Sequence, residues 1–415
     1  MNAPTRTSRA RGGFCLSVTG TVLLMAAASA PSPFYPQLIQ DLQLPPVAAT
    51  VIFAIYAIPL LIALLVLGSA SDRFGRRRVL IVGALLLAAS LLLFWAADSF
   101  TKLLTARALQ GLAAGLLIPA LNAMMVDFEP AGRPGAAALA NTAAPMAGLG
   151  IGAISAAGLL DLQGIDAGTV FLVLAALFVL IAGTAGTIPE PHHAPLRDER
   201  PTLARRKRLP ASTRRVLVSV VPAVIAGWVT NGMFLALGPV IISTQFAAHT
   251  HVEEALSILV LAAAGVAAAL LLHRSRPRRI SLFGTVSLGL GALFSVLALS
   301  VHSFPGYLAS VAIVGAGFGT AFMGAMRTLL PHVDPEQRAR VMAVIYTISY
   351  LAMSVPTVLA GLLVPLLTLP GAAIALGAVV VLLSITATVA RLRLTDRAGA
   401  ASTSVSPQQK GTVRT

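Results

Sequence analysis

Long apolar blocks separated by short polar stretches run along this chain from end to end. Most blocks hold about twenty residues or more, which lets a helix cross about 30 Å of hydrocarbon. They are rich in Gly, Ala and Leu and lack the alternation of a strand, which favours helices over a β-barrel. The pattern predicts twelve transmembrane helices, at 13–36, 47–69, 79–97, 101–126, 134–160, 167–188, 216–243, 252–273, 280–301, 304–327, 337–364 and 369–391.

Polar segments divide these helices into two sets of six. The stretch 189–215 is rich in Pro and Arg and cannot bury a core, so it predicts a cytoplasmic basic linker. It separates an N-terminal six-helix bundle, 1–188, from a C-terminal one, 216–391, and the polar tail 392–415 is expected to be disordered. We therefore predict an all-α membrane protein of two pseudo-symmetric bundles.

The two halves share short sequence matches at nearly one offset. Ala157-Gly158-Leu159-Leu160 aligns with 360–363, and the Gly pair at 111 and 115 aligns with 315 and 319. Two parallel repeats of six helices around a central site are typical of alternating-access transporters.

The positions of the basic residues predict the topology. Of 30 Lys and Arg residues, Lys102 lies alone on one side of the predicted helices and Arg107 lies alone within a span. The other basic residues share the opposite side, which the positive-inside rule assigns to the cytoplasm. We expect a multi-pass protein of the bacterial inner membrane with both termini in the cytoplasm.

Composition agrees with a protein that is embedded in the lipid bilayer. Hydrophobic residues make up 57% of the chain and charged residues 11%, too few for the polar shell of a soluble protein. The net charge of +15 sits in short loops and not on one face of a soluble domain, so we expect no nucleic-acid partner. Cys15 is the single cysteine, and no metal site is expected.

The segment after the second predicted helix carries a recognisable motif. It reads GSASDRFGRRR from Gly68 to Arg78 and resembles the signature loop of the major facilitator superfamily, Gly-x-x-x-Asp-Arg-x-Gly-Arg-Arg. The matching residues are Gly68, Asp72, Arg73, Gly75, Arg76 and Arg77. Helix number, linker and orientation agree with that family over nearly the whole chain, and the resemblance implies a twelve-helix transporter.

The resemblance also implies roles for this loop. Asp72 would sit at the N-terminus of helix 11, near Glu336 to Val341, and Arg76 would pair with an acid at the end of helix 4, where Asp127 stands. Together these contacts would latch the two halves in the outward-facing state. The alternative is a loop that is basic only to set topology. Chemistry supports the latch, because unpaired N–H groups at a helix N-terminus attract an anion.

Helix 4 carries a second motif. Arg107-Ala-Leu-Gln110-Gly111 resembles the family's Arg-x-x-Gln-Gly motif, which implies a role in substrate binding or proton transfer. An arginine within a span costs about 2.5–3.5 kcal/mol at the centre, so it is a functional candidate. The alternative is an arginine that snorkels to the interface. In helix 5, Ala144 to Leu149 matches the family's antiporter motif poorly, which weakens drug–proton antiport as a specific expectation.

Carboxylates do not settle how transport would be energised, because none lies near the middle of a span. Those near the outer side are Asp41, Asp98, Asp161, Asp166, Glu253 and Glu254. Three options remain: an acid at a cavity rim such as Asp41, coupling through Arg107, or facilitated diffusion without coupling. We expect the proton gradient to supply the energy and no cofactor to be needed.

Four polar residues within spans are candidates for the central cavity: Tyr56, Asn141, Asn231 and Tyr346. The alternative for each is a hydrogen bond between packed helices. Walls of Leu, Ala, Phe and Met favour neutral or amphiphilic substrates.

The sequence therefore predicts proton-coupled export of a drug-like or hydrophobic small molecule, with uptake or uncoupled facilitation of a small neutral nutrient as the alternative. No catalytic constellation and no Gly-x-x-x-x-Gly-Lys loop occurs, so an enzyme or an ATP-driven pump is not expected. Twelve helices can enclose a pathway alone, so a monomer is expected.

Overall fold

The computed structural model describes residues 3–35, 42–45, 47–68, 70–162, 168–188, 190, 210–334 and 337–403. Across these residues the regular structure is helical and no strand is present. The predicted all-α class is confirmed.

Six long helices form the N-terminal half. α1 spans Ala3–Ser29 and is followed by a 3-10 turn, Ser32–Phe34. α2 consists of two pieces, Val47–Ile55 and Ala57–Leu67, which meet at Tyr56. A short loop helix, Ala70–Phe74, comes next. The other helices are α3, Arg76–Trp95, α4, Phe100–Asp127, α5, Ala136–Leu160, and α6, Thr169–Ala185.

The C-terminal half repeats this plan. α7 spans Ala211–Ala236 and continues after Leu237 as a short helix, Gly238–Gln245. The next helices are α8, His251–Leu272, α9, Pro277–Ser300, and α10, Phe304–Leu329. The run Arg338–Thr403 is broken at Thr368, whose φ is 64°, which separates α11, 338–367, from α12, 369–403.

These helices match the membrane spans expected from the sequence. Ten described helical runs are long and apolar enough to cross a membrane, and one of them, Arg340–Arg393, contains the break at Thr368. α6 is apolar and shorter, with 17 residues. Dividing the long run at Thr368 and including α6 gives the twelve predicted spans.

Several predicted boundaries need correction. α3 begins at Arg76 and not at 79, because Gly75, with φ 94°, makes the turn directly before it. α7 begins at Ala211, so the end of the segment predicted as linker is helical. α12 continues to Thr403, although disorder was expected from 392, because no proline interrupts the sequence beyond the membrane. The remaining linker positions apart from 190 and 210, and the last twelve residues, lie outside the described residues.

The bundle has two ends, which we call the terminal face and the distal face. The terminal face is where α1 begins and α12 ends. The start of α1 meets the end of α4 there, with Gly13 against the ring of Phe128. The distal face is the opposite end, where α5 ends and α8 begins.

Helix packing follows the two halves. α1 packs on α5, α3 on α4 and α6, and α9 on α10, while α7 packs on the α11–α12 run. The halves meet where α5 packs on α8 and where the first piece of α2 packs on α11. Close crossings rely on small residues: a Cβ on Gly111 of α4 would lie 2.1 Å from the Tyr56 carbonyl oxygen of α2.

Candidate functional site

The motif loop forms an ionic cluster at the terminal face. Arg76, at the start of α3, lies with Nε 2.7 Å from Asp127 Oδ2 at the end of α4, which is the contact that the resemblance implies. Its Nη2 is 3.6 Å from Asp72 Oδ1. Arg76 is nearly buried, with 11% of its side chain exposed, whereas 42% of the Asp72 side chain is exposed. The cluster therefore joins α3, α4 and the short loop helix within one half.

The predicted contact between Asp72 and α11 is absent among the described residues. α11 begins at Arg338, and residues 335–336, where part of the contact was expected, lie outside the description. The loop instead meets the chain after α6, where the Arg77 N–H donates to Glu190 Oε1 at 3.4 Å. Gly68 ends α2, and Arg73 is exposed. The latch role stays a prediction that belongs to another state.

Arg107 is buried near the distal end of the N-terminal half, with 1% of the residue exposed. Its Nη1 donates to the Ala28 carbonyl oxygen at 3.0 Å and to Gln110 Oε1 at 2.6 Å, and its Nη2 donates to the Tyr35 hydroxyl. The guanidinium carbon also lies 5.5 Å from the Phe94 ring centre. Arg107 therefore does not snorkel to the interface.

The end of α1 explains this arrangement. α1 ends at Ser29, so the carbonyls of its last turn have no partner within the helix. Arg107 takes the Ala28 carbonyl, and Gln110 Nε2 donates to the Ala27 carbonyl at 2.8 Å. A cation at a helix C-terminus is also favoured by the helix dipole. Sequence reasoning missed the carbonyls and Tyr35; the end of the apolar block at Tyr35 was the available signal.

Tyrosine and tryptophan side chains meet where the two halves join. Tyr56 of α2 lies within electrostatic range of Tyr350 of α11, which also has Tyr346 nearby. The Tyr350 ring centre lies 5.1 Å from that of Trp228 on α7. The structure thus brings Tyr56 and Tyr346 of the four cavity candidates toward one place.

The other two cavity candidates lie on α7 and α5. Asn231 Nδ2 lies 3.7 Å from Met353 Sδ of α11, so this residue contacts the same helix as the tyrosines. Asn141 is on α5, and its Oδ1 is buried without a described hydrogen-bond partner, as is Oδ1 of Asn231. That all four line one central cavity stays a prediction.

An open cleft of about 570 Å³ lies at the terminal face between α1, α5 and α8. Its walls are apolar and its rim is basic. The lining residues are Phe14, Val18, Arg133, Pro134, Gly135, Ala136, Leu139, Ala140, Ala143, Leu270, His273 and Arg274. α5 and α8, which contact each other at mid-height through Gly150 and Ala262, are thus separated at this end.

At the distal face the same two helices are joined. Asp161, directly after α5, accepts hydrogen bonds from the backbone N–H groups of His251 and Val252 at 2.9 Å each, and its Oδ1 is 2.8 Å from His251 Nδ1. Partial burial raises the pKa of Asp161, but these hydrogen bonds outweigh it, so the pKa lies below its ordinary value. We call this contact the distal clamp. Thr50 against Gly361 closes the neighbouring α2–α11 crossing.

The remaining candidate groups are quickly placed. Asp41 and Asp166 lie outside the described residues, so the rim-acid option has no structural description. The part of the chain that the structure describes contains no cluster of metal-ligating side chains.

Comparisons with known proteins agree with this architecture. The family model described as Major Facilitator Superfamily matches residues 18–357. Among solved structures, a bacterial homologue of the human lysosomal transporter Spinster, in an inward-facing and unoccupied conformation, is similar with a TM-score of 0.70. The likeness covers 94% of this chain and 98% of that one, at 14% sequence identity, and therefore concerns the fold alone. No curated protein sequence gave a match.

Proposed function

The chain belongs to the major facilitator superfamily, and on that premise we propose that it is a secondary active transporter that exports drug-like or hydrophobic small molecules in exchange for protons. Family and fold make it a multi-pass membrane transporter and not an enzyme. Substrate class, direction and energy source are the parts that we propose.

The observation that carries alternating access is the unequal separation of α5 and α8. At the distal face the clamp between Asp161 and His251 joins them, and at the terminal face a cleft of about 570 Å³ separates them. A path that is open at one end and closed at the other is one state of an alternating-access cycle. We assign the terminal face to the cytoplasm, because the basic residues collect there. The described state is then inward-facing.

The apolar walls support a neutral or amphiphilic substrate. The cleft presents Phe14, Val18 and Leu139 to whatever enters, and its charged groups are confined to the rim. A phosphorylated or multiply charged substrate would need several basic groups inside the span to offset the cost of desolvation. Entry from the cytoplasmic side favours export.

Arg107 supports coupling to protons. The guanidinium is buried, and its partners among the described residues, Tyr35, Gln110 and the Ala28 carbonyl, are all neutral. A buried cation without an ion-pair partner favours the uptake of an anion, or the loss of a proton from an acid that moves close to it. A substrate-linked movement of α1 against α4 would change that environment.

The alternative is uptake or uncoupled facilitation of a small neutral nutrient. The specific observation in its favour is the departure of Ala144 to Leu149 from the antiporter motif of the family. In either case we propose a monomer in the bacterial inner membrane, with both termini in the cytoplasm and no cofactor.

Proton flux in inverted vesicles tests the proposal. A pH gradient is established in vesicles from cells that express the protein, a panel of lipophilic compounds is added, and a pH-sensitive dye is followed. Collapse of the gradient with a given compound in the wild type, and its loss in Arg107→Ala, supports proton-coupled export. Lys102→Ala is the matched control, because Lys102 lies on the same helix but is exposed. Absence of any response, with folded protein in the membrane, rejects proton-coupled export of these compounds.

A further inference from the structure

Glu254 lies beside the distal clamp and has no role in the transport scheme above. It is in the first turn of α8, and only 9% of the residue is exposed. Its Oε2 is buried and has no hydrogen-bond partner among the described residues. It interacts electrostatically with Asp161 across the seam and with His251 on its own helix. A carboxyl group is thus enclosed where the two halves meet.

The N-terminus of α8 has no backbone donor left for Glu254. Glu253 Oε2 accepts from the N–H groups of His249 and Thr250, at 2.7 and 3.3 Å. Asp161 accepts from those of His251 and Val252. The Glu253 N–H donates to the Thr250 hydroxyl, and the Glu254 N–H donates to the Thr250 carbonyl. Two acids, one from each half, therefore occupy the site that would otherwise stabilise a third anion.

The elements packed against the start of α8 offer no compensating cation. From α5 the charged group that faces Glu254 is Asp161, and from α8 itself the titratable neighbours are His251, Glu253 and His249. The Ser32–Phe34 turn and the short helix Gly238–Gln245 carry no titratable side chain. The distal part of α10 contributes Tyr307, a neutral phenol. An ionised Glu254 would face a second anion in a place that excludes water, which disfavours the charge.

We propose that Glu254 is a proton-binding site that gates the distal seam: it is ionised in contact with water when α5 and α8 part, and it takes up a proton when they close. Asp161 stays ionised and holds the N-terminus of α8. The two acids thus have different tasks because their surroundings differ. Since closure binds one proton, the ratio of closed to open seams rises by at most about tenfold for each unit that the pH falls. This inference rests on the proposed alternating access.

Distance measurements between spin labels test the gate without any substrate. Labels are placed at Thr101→Cys, at the distal start of α4, and at Ser300→Cys, at the distal end of α9, in a Cys15→Ser background. Thr101 and Ser300 are both exposed and lie apart from the clamp. Double electron–electron resonance is recorded in nanodiscs from pH 5 to pH 8. In the wild type we expect the short-distance population to grow as the pH falls.

Three variants assign the proton. In Glu254→Gln, a neutral side chain of the same shape, we expect the short distance at every pH and loss of the pH response. Glu253→Gln is the matched control one residue away, and it keeps the response. His251 titrates in the same pH range, so His251→Gln is included, and the response survives there with a shifted midpoint.

The results separate this gate from its competitors. A pH response that persists in Glu254→Gln, or that disappears only in His251→Gln, overturns the proposal, as does a wild type whose distances ignore pH. If the gate behaves as proposed while the vesicle assay shows no flux, the transport chemistry is wrong and the gate stands. If flux is present and Glu254→Gln leaves the distances unchanged, the gate alone is wrong.

Discussion

Arg76 Nε lies 2.7 Å from Asp127 Oδ2, and this contact fastens the start of α3 to the end of α4 inside the N-terminal half. Its geometry does not change when the two halves move against each other, because both residues belong to one half. Asp72, which also contacts Arg76, keeps 42% of its side chain exposed. The anion that would engage the other half is therefore accessible in the described state.

The Arg76–Asp127 pair is expected to stabilise the fold. Asp127→Asn should lower the free energy of unfolding by about 1.5–3 kcal/mol, because a charge-assisted hydrogen bond to a nearly buried guanidinium is weakened. The midpoint of thermal unfolding in detergent measures this. The exchange Arg76→Asp with Asp127→Arg should recover part of the loss. A double variant no better than the sum of the two singles would mean that the pair is not coupled.

Arg107 should be irreplaceable by lysine. Its fork reaches Tyr35, Gln110 and the Ala28 carbonyl at once, whereas an ammonium group offers one point of contact. We expect Arg107→Lys to reduce compound-driven proton flux by about tenfold or more, since at least one charged hydrogen bond is lost. Flux in vesicles at matched protein level measures it. Retention of wild-type flux in Arg107→Lys would show that only the charge matters.

Gly111 should tolerate no larger residue. A Cβ there would lie 2.1 Å from the Tyr56 carbonyl oxygen, which is backbone and cannot rotate away. Gly111→Ala should therefore cost about 1–3 kcal/mol through overpacking of α4 on α2. The yield of monodisperse protein and its unfolding midpoint report this. Gly158→Ala is the matched control, because nothing lies within 4 Å of a Cβ at that position, and it should be neutral or stabilising.

Asp161 should matter to the distal seam without responding to pH near neutrality. Its pKa is lowered while the clamp is formed, so its contribution to closure is complete above the ordinary aspartate pKa of about 4 and is lost as pH falls through the lowered pKa. Asp161→Asn should open the seam at pH 8, shifting the equilibrium by about tenfold, because charged hydrogen bonds are worth about 1.5–3 kcal/mol. Spin-label distances measure the shift; an unchanged distribution would remove Asp161 from the clamp.

Thr368 marks a strained turn. Its φ of 64° and ψ of 167° fall in a region that is almost restricted to glycine, at a cost of about 1–3 kcal/mol. Thr368→Gly should therefore raise the thermal midpoint. Thr386→Gly, on an exposed face of α12, should lower it, since glycine costs about 1 kcal/mol within a helix. Equal effects of the two substitutions would contradict the assignment of strain.

The sequence predicted most of the fold because spans are determined locally. Apolar length and the positions of the basic residues identified twelve helices, and their order alone implied two halves. Helix ends were less certain: Gly75 shows its positive φ only in the structure, and the helix beyond 392 depends on continuing from a membrane span. The Arg76–Asp127 contact could be anticipated from a known motif, whereas Tyr35 as a partner of Arg107 could not.

The distal clamp escaped prediction for a physical reason. Asp161 binds main-chain N–H groups of His251 and Val252, and every residue except proline has such a group. Side-chain types at 251 and 252 therefore give no sign of the contact. Asp161 and Glu254 looked like ordinary acids at the ends of spans, and only the folded chain places them on one seam.

The same feature has a consequence for heredity. Because the α8 side of the clamp is main chain, most codon changes at 251 and 252 leave its two N–H donors in place. Proline at 252 is the informative exception, since the first turn of a helix tolerates its ring while one donor disappears. The mutational burden of this gate then falls on the single codon for Asp161, and lineages can drift freely on one bank of the seam while the other bank stays fixed.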